Sequence, residues 1–195
     1  MFIETKNLIL RNYTIEDLED YWEYVSQPNV GPRCGWEPYT SKVAAKERLE
    51  YECGKPLQFA IELKSTGKVI GSIEVMEPKR DCTTTDNAKE LGCLLNENYW
   101  GKGIMTEALT SIVKYCFDNL RVDEVVAGYF EPNVGSGRVQ EKAGLVPFNR
   151  IENYITWYLT GELCDCILNR IGREEYLDNP IYRNLKINVR EGRRR

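Results

Sequence analysis

The sequence predicts an α+β fold, in which helices pack on a mixed β-sheet. Short runs of β-type apolar residues are interspersed with longer segments whose apolar residues recur at helical spacing. Their order is strand, two helices, three strands, helix, strand, helix and two strands, without an internal repeat. A chain of 195 residues suits one domain. We place that domain at residues 1–178, followed by a C-terminal extension at 179–195.

The first half of the chain supplies a strand, two helices and a β-hairpin. The first helix carries a single apolar stripe. Three prolines and two glycines follow it and predict a loop. The predicted elements are strand Leu8–Arg11, a helix at 15–26, the loop at 27–40, a helix capped by Ser41 that ends near Cys53, and strands Gln58–Leu63 and Val69–Met76 joined by a turn at 64–67.

The second half supplies the longest apolar helix and the closing strands. Ala143 and Gly144 form the stop signal of a short helix, and Gly161 marks the tip of a hairpin. The predicted elements are a polar excursion at 79–87, strand Ala88–Leu95, helix 104–119, strand 124–129, helix 133–142 and strands 151–159 and 163–171.

Composition excludes several classes of function. The 26 basic and 30 acidic residues give a formal net charge of −4, which disfavours nucleic-acid binding and tolerates cationic partners such as amines. No apolar run reaches the length of about 20 residues that spans a membrane, so we expect a cytoplasmic protein with no membrane partner. Without histidine, and with seven scattered cysteines, the chain suits neither a metal site nor a histidine-based nucleophile.

The most informative segment runs from Tyr99 to Thr106 and reads Tyr-Trp-Gly-Lys-Gly-Ile-Met-Thr. Gly101 and Gly103 leave successive backbone N–H groups unobstructed at the predicted start of a helix. Such an arrangement binds phosphate through the backbone. The segment lacks the nucleotide P-loop pattern and the third glycine of a dinucleotide-binding turn. A plain strand-to-helix turn is the structural alternative.

A second segment places two small polar side chains at the start of the next helix. Asn133 and Ser136 are three residues apart and therefore share a helix face. Asn133 also suits the role of a helix N-cap.

Together, these segments resemble the GNAT superfamily of N-acetyltransferases, and more narrowly the branch that acetylates the N-terminal amine of ribosomal proteins. The resemblance rests on residues 99–108 and on the pattern Asn-x-x-Ser-x-Arg-Val-x-Glu-Lys-x-Gly at 133–144, and it extends over nearly the whole chain. It implies a mostly antiparallel central sheet with a splayed strand pair, flanked by helices. Gln140 stands where many relatives use a catalytic tyrosine, so the resemblance assigns the acid role to Ser136.

The resemblance implies acetyl-CoA as cosubstrate and assigns residues to it. The phosphates would lie on the glycine turn, and the pantetheine arm would lie along strand Ala88–Leu95. The cofactor-binding residues that it implies are Cys93, Leu94, Leu95, Trp100, Gly101, Lys102, Gly103, Ile104, Met105, Thr106, Asn133, Ser136 and Arg138. We interpret Cys93 as packing rather than as a nucleophile, and Arg138 also suits a solvated helix face.

A primary amine is the expected acceptor and must lose a proton before it attacks. At neutral pH this costs about 4.6 kcal/mol for a lysine amine but only about 1.4 kcal/mol for an α-amine. A weak base is therefore sufficient for an α-amine. We assign that role to Glu90, whose alternative is an exposed strand carboxylate. Acceptor contacts are expected at Trp36, Glu37 and Tyr39, although Trp36 also suits a lid over the core.

The sequence thus predicts an N-acetyltransferase that acts on a protein N-terminal amine. Acetylation of a small amine, such as an antibiotic or a polyamine, is the nearest alternative. A non-catalytic acyl-CoA-binding module is the third. The sequence leaves the oligomeric state open, and a homodimer is one possibility because the family contains dimers.

Overall fold

The computed structural model describes residues 1–78, 82–190 and 192. The strands in this part of the chain are β1 (Phe2–Glu4), β2 (Leu8–Arg11), β3 (Gln58–Leu63), β4 (Val69–Met76), β5 (Ala88–Leu95), β6 (Glu124–Phe130), β7 (Val146–Thr156), β8 (Leu163–Gly172) and β9 (Asn188–Arg190). The helices are α1 (Leu18–Val25), α2 (Lys42–Cys53), α3 (Ile104–Tyr115), α4 (Val134–Lys142), α5 (Arg173–Asp178) and α6 (Pro180–Asn184). Strand pairing is mixed and mostly antiparallel, which confirms the predicted α+β class.

The chain forms two compact units. The first contains residues 1–74 and 93–104 and the C-terminal stretch from Lys186. Within it, strands run antiparallel in the order β4-β3-β2-β1-β9. Helices α1 and α2 bury an aromatic cluster against this unit's strands. The buried members of the cluster are Tyr13, Tyr21, Tyr24, Val25, Ala45, Leu49, Ala60 and Val69.

A buried glycine brings β4 close to the end of β5 in the first unit. A Cβ atom on Gly71 would lie 2.4 Å from the backbone oxygen of Leu94 and 3.0 Å from the Cα of Leu95. Backbone at this distance cannot rotate away as a flexible side chain does. The absence of a side chain at Gly71 is therefore what permits this approach.

We expect Gly71→Ala to lower the free energy of unfolding by about 2 kcal/mol, because overpacking forces the backbone apart. Gly54→Ala is a suitable control, since a Cβ there would meet only Tyr51 O at 3.5 Å. Urea denaturation of both variants measures the difference. Equal stability of the two variants would contradict the close approach.

The second unit contains residues 75–92 and 105–185. Its strand order is β7-β8-β6-β5, with β6–β8 and β7–β8 antiparallel. Strands β5 and β6 run parallel, and their register covers three residue pairs, from Ala88↔Glu124 to Glu90↔Val126. Both strands continue well beyond these pairs. This geometry is the splayed strand pair that the resemblance implies.

Burial, ring stacking and a side-chain hydrogen bond hold the helices of the second unit. Helix α3 buries eight of its twelve residues. Phe117, beyond its end, stacks on Tyr176 with ring centroids 4.4 Å apart. Tyr182 is buried and donates a hydrogen bond to Ala143 O. Residues of the predicted C-terminal extension therefore contribute to the packing of this unit.

Several predicted boundaries differ from the observed ones. The helix predicted at 104–119 is α-helical to Tyr115 and then widens into a π turn, Cys116–Leu120. Strand β7 begins at Val146 rather than at 151. Its mostly exposed residues lack apolar alternation, and Pro147 is tolerated at a sheet edge. The sequence also did not predict the three-residue strands β1 and β9 or the short helices α5 and α6.

Part of the predicted polar excursion, residues 79–81, lies outside the described residues, as do residues 191 and 193–195 of the predicted extension. Among the described helices, none is both long and apolar enough to cross a membrane. The described residues contain no cluster of three or more acidic or cysteine side chains that would hold a metal ion.

Candidate active site

The glycine turn connects β5 to α3 in an open backbone conformation. Gly101 and Gly103 have φ values of 74° and 77°. Cβ atoms added to either glycine would have no heavy atom within 4 Å. The space over both glycines is thus open immediately before the first residue of α3, whereas the Trp100 N–H donates to Glu97 O at 3.1 Å within the turn. Glycine supplies this conformation at the lowest cost, since other residues rarely adopt positive φ.

Side chains of the turn fasten it to the first unit. The indole Nε1 of Trp100 donates to Leu95 O at 2.8 Å, and the Arg33 guanidinium lies over the Trp100 ring, 5.2 Å from its centroid. Lys102 Nζ donates to Asn98 O at 2.8 Å and lies 5.2 Å from the Tyr99 ring centroid. These contacts hold the part of the turn that follows β5.

A buried asparagine supports the residues that precede the turn. Asn96 is fully buried, and its backbone N–H donates to Ile70 O at 2.8 Å. Its side chain donates to Glu23 at 2.8 Å and accepts from Gln27 at 2.9 Å. Its oxygen also accepts from the backbone of Asn98 at 3.0 Å. Because every polar atom is satisfied, the end of β5 is a rigid platform for the turn.

The predicted acceptor loop lies beside the end of β5 in the same unit. Trp36 and Tyr39 pack edge to face, with centroids 5.6 Å apart, against the aromatic cluster to which Leu94 also contributes. The Cys34 thiol lies 3.9 Å from Cys93 O. Glu37 is exposed. The structure therefore brings three predicted residues, Trp36, Tyr39 and Leu94, into one neighbourhood, with Trp36 partly in the core.

Two thiols in this neighbourhood are poor nucleophiles. Burial raises the pKa of the Cys34 thiol to about 12 and that of the Cys93 thiol to about 11. Both therefore remain protonated near neutral pH. This supports the interpretation of Cys93 as a packing residue.

We expect iodoacetamide at about pH 7 to leave Cys34 and Cys93 unmodified in the native protein, because alkylation requires an accessible thiolate. Peptide mapping by mass spectrometry measures the modification of each cysteine. The same reaction in urea is the control and should label both residues. Rapid labelling of Cys93 in the native protein would contradict the raised pKa of its thiol.

Glu90 occupies the last residue pair of the parallel β5–β6 register and is half-buried. Beyond this pair the two strands no longer follow one register, so Glu90 marks the point where the strands begin to separate. The predicted base is thus placed at the splay of the second unit.

Helix α4 carries the second predicted segment. The side-chain oxygen of Asn133 accepts from Ser136 N at 3.4 Å. Asn133 is therefore the N-cap of α4, the structural role for which its position in the sequence is suited. The Ser136 hydroxyl oxygen accepts from Gln140 Nε2 at 3.3 Å. Gln140 is 2% exposed. The position without a catalytic tyrosine is therefore filled by a buried amide in contact with Ser136.

Arg138 lies on another part of the α4 surface. It lines an open cavity of about 530 Å³ in the second unit. The other lining residues are Tyr129, Glu131, Val134, Gly137, Glu141, Leu145, Val146, Pro147 and Asn169. The lining thus includes two carboxylates and a guanidinium as well as apolar side chains.

The sequence did not indicate two further residues that contact Gln140, the partner of Ser136. Gly128 O accepts from Gln140 Nε2 at 3.3 Å, and Asn169 Nδ2 donates to Gln140 Oε1 at 2.9 Å. A glycine inside a strand is a weak signal of a close approach. Nothing in the sequence around Asn169 marks it as part of a site.

Comparison with known proteins agrees with this geometry. Residues 7–146 match the model of the acetyltransferase (GNAT) domain. The chain is 36% identical over 99 residues to the probable N-acetyltransferase YjcK of Bacillus subtilis, covering 51% of this chain and 52% of that protein. It is 25% identical over 178 residues to the uncharacterized N-acetyltransferase p20 of Bacillus licheniformis, covering 88% and 96% of the two chains.

Solved structures share the fold. A GNAT-family acetyltransferase from Bacillus anthracis superposes with a TM-score of 0.78 at 23% identity, covering 89% of this chain and 99% of that one. Ribosomal-protein-S5-alanine acetyltransferase from Vibrio fischeri gives 0.68 at 24% identity, covering 88% and 96%. Spermidine N-acetyltransferase from Vibrio cholerae, in complex with CoA and spermine, gives 0.72 at 19% identity, covering 88% and 99%.

The open glycine turn, the splayed strands and the matched domain all lead to the same assignment. Acetyl-CoA is the acetyl donor of this family. The chain is an N-acetyltransferase that belongs to the GNAT family.

Proposed function

We propose that this chain transfers the acetyl group of acetyl-CoA to a protein N-terminal α-amine by direct attack. The observation that carries the proposal is the turn at Gly101 and Gly103, which has positive φ values and open space immediately before α3. Phosphates bind to N–H groups at such helix starts. The turn fits the pyrophosphate of CoA, because added Cβ atoms would fill the space that the phosphates need.

The predicted catalytic residues have the following roles in this reaction. When bound, acetyl-CoA supplies a thioester whose C–S bond breaks as the acceptor's N–C bond forms. Glu90 accepts the proton that an α-amine loses, directly or through water. Ser136 donates a hydrogen bond toward the departing sulfur. Backbone N–H groups near Leu94 and Leu95 stabilise negative charge on the carbonyl oxygen.

An α-amine is favoured as acceptor because its deprotonation costs only about 1.4 kcal/mol at neutral pH. A single half-buried carboxylate such as Glu90 is a sufficient base for it. The resemblance to the ribosomal-protein branch points the same way, and a structural neighbour carries that activity in its name. Trp36 and Tyr39 would contact the first residues of the acceptor.

A small polyamine is the second candidate acceptor. The neighbour with bound CoA and spermine supports it, as does the formal net charge of −4 on this chain. Glu37 is exposed in the predicted acceptor loop and would attract a cationic chain.

The experiment that separates these acceptors is a panel of amines with acetyl-CoA. Peptides beginning with alanine, serine or methionine are compared with their N-terminally blocked forms, with spermidine and with an aminoglycoside. Mass spectrometry locates the added acetyl group. We expect modification of the α-amine and none of the blocked peptides. Faster acetylation of spermidine would favour the second candidate, and acetyl-CoA binding without turnover on any amine would indicate a non-catalytic module.

A further inference from the structure

Three polar side chains form a hydrogen-bonded row in the second unit. Gln140 Nε2 donates to both Ser136 Oγ and Gly128 O, each at 3.3 Å. Asn169 Nδ2 donates to Gln140 Oε1 at 2.9 Å. Gln140 and Asn169 are each 2% exposed. A buried row of this kind has little freedom to change its partners.

The carbonyl of Gly128 determines the direction of every hydrogen bond in the row. A carbonyl oxygen only accepts, so the end of the Gln140 amide that faces it must be the NH₂ group. The Gln140 oxygen consequently faces Asn169, which must present its own NH₂ group. Ser136 therefore receives a hydrogen bond from Gln140 and cannot donate one to it.

This direction leaves the hydroxyl hydrogen of Ser136 available. Three other hydroxyls, in a helix or at its end, donate to the backbone of that helix: Ser26 to Trp22 O, Thr110 to Thr106 O and Ser111 to Glu107 O, each at 2.8 Å. Within the part of the chain that the structure describes, the Ser136 hydroxyl donates to no protein acceptor. Its hydrogen is directed away from Gln140.

We propose that Gln140 and Asn169 are positioning residues that hold the Ser136 hydroxyl as a hydrogen-bond donor for the departing sulfur; this inference rests on the proposed function. The amine nitrogen bonds to the acetyl carbon, the C–S bond breaks, and sulfur takes the electron pair. Ser136 stabilises that thiolate by its hydrogen bond and keeps its own proton. Glu90 or water takes the proton that the amine loses, and water returns one to the thiolate.

The direct test is Gln140→Glu, which keeps the shape of the side chain but replaces the donating NH₂ by a carboxylate oxygen. Ser136 would then donate to residue 140 and lose its orientation toward sulfur. We expect kcat to fall by about tenfold or more, while KM for acetyl-CoA stays unchanged. In a Ser136→Ala background, the same substitution should have no further effect on kcat, because the hydroxyl is already gone.

A second variant changes the hydrogen bonding of Ser136 indirectly, through Gln140. Asn169→Asp replaces the donor that faces Gln140 Oε1 by a carboxylate oxygen, so the hydrogen bond that holds the Gln140 amide in its orientation is lost. We expect the same selective fall in kcat. Asn149→Asp is the matched control, because it makes the same change from amide to carboxylate on an exposed residue of the second unit. Its kcat should equal that of the unsubstituted protein.

Thermal unfolding identifies variants that fold. The inference is overturned if the folded variants keep their kcat, or if the losses from Gln140→Glu and Ser136→Ala multiply in the double variant. A merely structural role of Gln140 would give such multiplication. If the unsubstituted protein acetylates no amine at all, the proposed function is wrong and the inference fails with it.

Discussion

Ser136→Ala should lower kcat for acetyl transfer by about 100-fold, the range for loss of a positioned acid or hydrogen-bond donor. The affinity for acetyl-CoA should change little. The thiolate of CoA is a moderately good leaving group, with a thiol pKa near ~8.5, so it requires a hydrogen bond rather than full proton transfer. A serine hydroxyl provides this without becoming charged. Steady-state kinetics and calorimetric binding of acetyl-CoA measure the two quantities separately.

Ser26→Ala is a suitable control for this prediction. The Ser26 hydroxyl donates to Trp22 O at 2.8 Å and ends helix α1. Its removal tests whether loss of any helical hydroxyl reduces turnover. We expect kcat of Ser26→Ala to be unchanged. Full activity of Ser136→Ala would remove this residue from the mechanism.

The sequence predicted most elements whose apolar residues form a clear period. Strands β3, β4 and β5 have the predicted bounds. Strands β3 and β4 are almost continuously buried, whereas β5 is buried at Ala88, Leu91 and Leu95 only. The start of β7 was missed because Val146 and Pro147 make an exposed edge without alternation. Strand β9 was missed because three residues carry no period, and its pairing with β1 joins opposite ends of the chain.

Within the site, the sequence predicted only those features that depend on residues close together in the chain. The positive φ values of Gly101 and Gly103 were predictable, because glycine adopts such values more readily than other residues. Asn169 gave no such signal, because its contact with Gln140 depends on the register of β6 and β8, in which Ala127 pairs with Asn169 and Gly128 with Leu168. Gln140 and Asn169 are 29 positions apart in the chain, so no local sequence pattern indicates their contact. The assignments of Glu90, Ser136 and the acetyl-CoA contacts remain predictions.

Gly103→Val should weaken acetyl-CoA binding by at least tenfold, equivalent to about 1.4 kcal/mol. Gly103 has a φ of 77°, which a β-branched residue adopts only with strain. The turn would therefore shift, and the added methyl groups would occupy the open space over its N–H groups. Isothermal titration calorimetry with acetyl-CoA measures the loss.

Gly67→Val separates this effect from simple backbone strain. Gly67 has a φ of 72° and open surroundings like those of Gly103, but it lies in the turn between β3 and β4. Both substitutions should cost about 1–3 kcal/mol of stability. Only Gly103→Val should also reduce affinity, because only that turn precedes α3 and presents its N–H groups to phosphate. Equal acetyl-CoA affinity in the two variants would show that the phosphates bind elsewhere, while a selective loss assigns them to the glycine turn.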